Sequence, residues 1–129
     1  MKAPETKNTL LKVLIVDDNA ENRQMTMSFL RHLPFEFEEC AAGSDAVDCY
    51  ESSRPDWVLM DWETRQMTGL SAARRIIAAF PKAQILMMNQ YGDKELREAA
   101  AEAGAQGFVL KDDLMALRSF LEKADGRPV

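Results

Sequence analysis

An α/β fold with a doubly wound parallel sheet, strand order 2-1-3-4-5 and helices on both faces is predicted by three features of the chain. Strand-length apolar runs alternate five times with segments of helical spacing. The first and third runs are apolar on successive residues, as strands covered on both sides must be. The second run alternates Phe with Glu, which suits an edge strand with one wet face. Strand 2 at the edge, with strands 1 and 3 inside, is the start of that order.

Each element follows in turn. Residues 1–9, MKAPETKNT, are polar, contain Pro4 and read as a tail. The domain is placed at 10–124, with 125–129 as a C-terminal tail. The strand runs are Lys12–Val16, Phe35–Cys40, Asp56–Met60, Ala83–Met88 and Gly107–Leu110. The first helix is expected to share Met25, Phe29, Leu30 and Leu33 on one face. A second stripe is Ala46, Val47 and Tyr50, and a third is Leu70, Ala73, Ile77 and Phe80, stopped by Pro81. Leu96, Ala99, Ala100 and Ala103 make the fourth, with Gly104 where a helix-ending glycine belongs. Leu114, Leu117, Phe120 and Leu121 make the fifth.

Composition narrows the function. The 129 residues are 47% hydrophobic and carry a net charge of −5, too apolar and too weakly charged for disorder. A sequence pI near 4.9 argues against a phosphate-backbone binder, whose surface is usually basic. The longest apolar run, Ile76–Phe80, is far shorter than the roughly 18 residues of a membrane span. With no apolar signal core at the N-terminus, a cytoplasmic location is expected. Cys40 and Cys49 have no metal-ligand spacing and make no disulfide framework. The single histidine, His32, is expected near the end of the first helix and has no catalytic role.

In a sheet of this order, ligands bind outside the carboxyl ends of the strands, where the winding reverses between strands 1 and 3. The residues there are Asp17-Asp18 after strand 1, Asp61 after strand 3, Asn89-Gln90 after strand 4 and Lys111 after strand 5. Helix capping accounts for Asp18 or Asn19 and for Asp113. It does not account for three acids at one switch point. Two carboxylates about 5 Å apart, at an effective dielectric of about 20, repel by roughly 3 kcal/mol unless a cation offsets them. Mg²⁺ prefers oxygen ligands, and Lys111 supplies positive charge where an anion would join the metal. The constellation reads as a divalent-metal and phosphoryl site.

The runs LIVDDNAENR (Leu14–Arg23), VLMDWETRQMTGL (Val58–Leu70) and EAGAQGFVLKDD (Glu102–Asp113) resemble the receiver domain of two-component response regulators. That family has the flavodoxin-like fold. The AGAxGF approach and the KDD ending are similar to receivers of the NarL/FixJ type. The resemblance implies that Asp61 accepts a phosphoryl group from the phosphohistidine of a sensor histidine kinase or phosphotransfer protein. It implies Mg²⁺ held by Asp18 and Asp61, by Asp17 through water, and by the backbone carbonyl of Glu63. Lys111 would pair with the phosphoryl oxygens, and Phe108 takes the place of the aromatic that changes rotamer on activation. The surface of helix 4, strand 5 and helix 5 would meet a downstream output domain or partner protein. Such a domain is not an enzyme in the ordinary sense. It binds neither nucleic acid nor membrane directly, and a homodimer is left open.

Two positions depart from the family pattern. Asn89, 22 residues before Lys111, stands where Thr or Ser is usual, with Gln90 where a small residue is usual. An amide can still donate to a phosphoryl oxygen but is bulkier than a hydroxyl. Thr64-Arg65 replaces the usual Met-Pro, removing a fixed φ and bringing Arg65 toward the acidic rim. A degenerate receiver that binds partners without a productive switch is the second reading. A Mg²⁺-dependent α/β phosphatase is a third, disfavoured because the acids after strand 1 are adjacent rather than spaced as DxD. A flavin-binding domain is disfavoured by the lack of a Ser/Thr/Gly-rich phosphate loop.

Overall fold

The apolar runs become strands and the periodic segments become helices in a computed structural model that describes residues 10–124. Both predicted tails, 1–9 and 125–129, lie outside the described residues. The strands are β1 (Leu11–Val16), β2 (Phe35–Cys40), β3 (Trp57–Asp61), β4 (Ile85–Asn89) and β5 (Gly107–Leu110). The helices are α1 (Ala20–Phe29), α2 (Ala46–Ser53), α3 (Gly69–Ala79), α4 (Lys94–Glu102) and α5 (Leu114–Ala124). A single 3₁₀ turn, Gly43–Asp45, leads into α2. All strand pairs are parallel, in the order β2-β1-β3-β4-β5. The predicted flavodoxin-like topology is the observed one.

Strand geometry sends successive side chains to opposite faces, and both faces here are covered. Leu14, Val16, Val58 and Met60 pack with Ala72, Ala73 and Ile76 of α3 and Tyr50 of α2. Val13, Ile15, Trp57 and Leu59 pack on the other side with Leu30, Leu117 and Leu121. Full burial of each such side chain contributes about 1.5–3 kcal/mol. On edge strand β2, Phe35 and Phe37 face the second core, while Cys40 turns into the first. Trp57 and Phe120 meet edge to face with ring centroids 5.3 Å apart, locking α5 onto the sheet.

Caps set the helix starts. Asn19 accepts from the backbone N–H of Asn22 at 2.9 Å, Thr68 from Ser71 at 3.1 Å and Asp113 from Ala116 at 3.1 Å. Because Asn19 caps α1, Asp18 is left for the rim. Gly104, at φ 100°, follows the cap of α4, a conformation favouring glycine.

Three local expectations need correction. α1 ends at Phe29, so the predicted four-residue stripe does not form: Leu30 is buried beyond the helix, whereas Met25 is 56% exposed. Pro34 disfavours helical backbone at Leu33, and the chain turns into β2. His32 accordingly lies in that turn, past the helix. Strands β3 and β4 each run one residue further than predicted, so Asp61 and Asn89 are the last residues of their strands. Their pairing persists because Asp61 is in register with Met88, and the N–H of Trp62 donates to the Met88 carbonyl at 2.8 Å.

Candidate functional site

The register of β1 with β3 places Val16 beside Met60, so the residues that follow, Asp17 and Asp61, meet at the rim. Both are buried, at 6% and 5% exposure. Carboxylate oxygens of Asp17, Asp18 and Asp61 all lie within 4.8 Å of one another. The ammonium of Lys111 reaches across from β5, 3.5 Å from Oδ2 of Asp17 and 3.4 Å from Oδ2 of Asp61. Its backbone N–H donates to the Asn89 carbonyl at 2.8 Å, which fixes where that side chain starts.

Backbone donors hold the acids in place. Oδ1 of Asp17 accepts from Asn19 N–H at 2.9 Å, and Oδ1 of Asp61 accepts from Glu63 N–H at 3.3 Å. Arg23 donates to the Asp17 carbonyl at 2.6 Å and pairs with Glu39 at 2.7 Å, tying α1 to β2 beside the site. The Asp61 carboxyl is pushed up to about 6, first by burial and then by the neighbouring Asp17 charge, against the opposing pull of Lys111. Three acids facing one lysine leave an excess of negative charge, and every donor is oxygen. That donor set fits a hard divalent cation such as Mg²⁺. Beneath it, Asp17, Asp61, Lys111 and Asn22 help line a cavity of about 60 Å³, room enough for water.

The β3–α3 loop lacks proline but is held by side chains. Thr64 Oγ1 donates to the Met67 carbonyl, and Ser44 and Gln66 are hydrogen-bonded at 3.3 Å. Arg65 lies at the acidic rim as expected: its N–H donates to Oδ2 of Asp18 at 3.0 Å and its guanidinium is 3.5 Å from the same atom. Gly69 begins α3 directly against the Asp61 carbonyl, where a Cβ would collide with backbone.

The β4 side is arranged differently. Asn89 is 4% exposed, and its amide donates to the Tyr91 carbonyl at 3.1 Å within its own loop. Phe108 stands with its ring 6.0 Å from that of Trp62, and the Arg97 guanidinium lies 4.9 Å from the Phe108 centroid. Arg97 is held there by donating to the Gly92 carbonyl at 2.9 Å. Neither Arg97 nor Arg23 was singled out by sequence reasoning. The spacing of Arg23 on α1, five residues past Asp18, was the only available signal for either.

A sheet of this order, with three acids and a lysine gathered at its switch point, defines the receiver class of signalling domains. The response regulator receiver domain pattern matches residues 13–122, and the chain belongs to that family. It is 34% identical over 103 residues to the chemotaxis protein CheY of Listeria monocytogenes, covering 79% of this chain and 87% of that protein. It is also 34% identical over 104 residues to the uncharacterized transcriptional regulatory protein YhcZ of Bacillus subtilis. There the match covers 79% of this chain but only 49% of YhcZ, so the chain spans about half of that relative. Among solved structures, a two-component response regulator of the LuxR family from Aurantimonas sp. SI85-9A1 superposes with a TM-score of 0.85 at 28% identity. That superposition covers 92% of this chain and 88% of the other. Among the described residues, no helix is long and apolar enough to cross a membrane.

Proposed function

We propose that residues 10–124 form a phosphorylatable receiver in which Asp61 takes a phosphoryl group from the phosphohistidine of a sensor kinase or phosphotransfer protein. The observation that carries this reading is the buried Asp61 carboxylate held 3.4 Å from the Lys111 ammonium beside two further acids. Asp17, Asp18 and Asp61, with the backbone carbonyl of Glu63, are the residues that would hold Mg²⁺. The bound ion supplies positive charge that neutralises phosphoryl oxygens as the group is transferred.

The chain's own residues do the rest. A carboxylate oxygen of Asp61 forms a new bond to phosphorus as the P–N bond of the donor breaks. The electron pair of that bond returns to the imidazole nitrogen, which takes up a proton. Lys111 exchanges part of its pairing with Asp17 and Asp61 for a phosphoryl oxygen. Asn89 gives up the Tyr91 carbonyl to donate to another, and Phe108 changes rotamer against Trp62. The face formed by α4, β5 and α5 then presents the altered surface to an output domain or partner protein. The domain thus acts as a cytoplasmic signalling element rather than an enzyme with a separate substrate.

Incubation with acetyl phosphate and Mg²⁺, followed by mass spectrometry, tests the reading. One phosphoryl group should be added to wild type, and none to Asp61→Asn or in the presence of EDTA. Absence of an adduct on wild type would sink it. The hydrogen bond already made by Asn89 supports a second reading, a protein-interaction module without a productive switch. Phosphorylation that leaves the amide NMR shifts of 107–110 and α4 unchanged would favour that reading.

A further inference from the structure

The two cysteines lie nine residues apart on different elements, yet their side chains converge. Cys40 ends β2 at 2% exposure, and Cys49 is partly exposed on α2. Their Sγ atoms are 2.8 Å apart, and both are free thiols. The Cys49 side of the pair opens on a cavity of about 490 Å³ that is also lined by Lys12, Glu38, Asp45 and Asp48. Cys49 is thus open to an oxidant, whereas Cys40 is buried. From these positions we infer that Cys40 and Cys49 are a dithiol–disulfide couple, a redox modification site that joins α2 covalently to β2.

The chemistry needs a small-molecule disulfide such as oxidised glutathione. The Cys49 thiolate attacks one sulfur of the oxidant, giving a mixed disulfide and one released thiol. Cys40 then attacks the Cys49 sulfur, closing the intramolecular bond and releasing the second thiol. The two cysteine protons end on the two released thiols, and the oxidant gains the two electrons that the protein loses. The Cys49 thiol is pushed up to about 12, first by burial, then by its hydrogen bond to Cys40 and the nearby acids Asp45 and Asp48. Thiolate is therefore scarce at Cys49, and formation of the bond is slow.

The tether would lie on the flank of the acidic cluster. The Cys40 carbonyl accepts from Asp17 N–H at 3.0 Å. Gly43, between the two cysteines, abuts Thr64 of the β3–α3 loop. Oxidation fastens this segment at both ends.

Equilibration of the full chain in an oxidising glutathione buffer, approached from both the reduced and the oxidised protein, tests the couple. Free thiols are then blocked with N-ethylmaleimide under denaturing conditions, and peptides are mapped by mass spectrometry without reduction. The expected product is a monomer lighter by two hydrogens, with Cys40 and Cys49 peptides linked and the link removed by dithiothreitol. Cys40→Ser and Cys49→Ser should each show only a blocked thiol or a glutathione adduct. Recovery of wild type with both cysteines blocked or separately glutathionylated would overturn the inference, as would chains cross-linked to one another.

Discussion

The ends of β3 and β4 are neighbours in the sheet and equally buried, yet they are built in opposite ways. Asp61 sits among charges: burial first and then Asp17 raise its pKa, and Lys111 opposes that shift. Asn89 is neutral, and an N–H of its amide donates to the Tyr91 carbonyl two residues on. The β3 side therefore holds three acids whose repulsion Lys111 and Arg65 offset only in part. The β4 side holds a local hydrogen bond of about 1 kcal/mol that ties the Asn89 amide to its own loop. On the function proposed above, ligand capture and conformational response would rest on separable interactions.

Breaking the frame behind the acidic side should have the largest effect. Gly69→Ala puts a methyl group into the Asp61 carbonyl, and chemical denaturation should show a loss of more than about 3 kcal/mol. Removing a carboxylate acts on the charge alone. Asp18→Ala and Asp61→Asn should weaken Mg²⁺ binding, followed by Trp62 fluorescence, by about 100-fold or more. The melting temperature of metal-free Asp61→Asn should meanwhile stay level or rise, because like charges are relieved, whereas Asp18→Ala also loses its contacts with Arg65. A fall in that temperature would mean that the cluster is not repulsive as it stands.

On the β4 side, Asn89→Ala should cost about 1 kcal/mol in stability and leave Mg²⁺ affinity within about twofold. A tenfold change in affinity would show that the two sides are coupled. The smallest effect belongs to Arg97→Ala, which frees Phe108 at a cost of about 0.5–1 kcal/mol. It should be read as a change in Trp62 emission, since that ring packs against Phe108.

Much of the architecture was legible because it depends on local rules. Alternation in FEFEEC places β2 at an edge, and unbroken apolar runs place β1 and β3 inside, since side-chain direction along a strand has period two. The same reasoning puts Asp17, Asp18, Asp61 and Lys111 on one rim, where the structure brings them together. Strand ends were less legible. Asp61 and Asn89 belong to their strands because partners on adjacent strands keep the ladder going, and no local signal reports a neighbour's hydrogen bonds.

By itself, then, the sequence determined the fold class and the identity of the rim residues and supported the strand order, through periodicity and where each strand stops. Only the tertiary structure decided how those residues are partnered. It set Arg65 on Asp18 and Arg97 on Phe108, turned Asn89 to its own loop and brought Cys40 to Cys49. Such pairings depend on distances between segments remote in the chain, and those distances exist only once both faces of the sheet are packed.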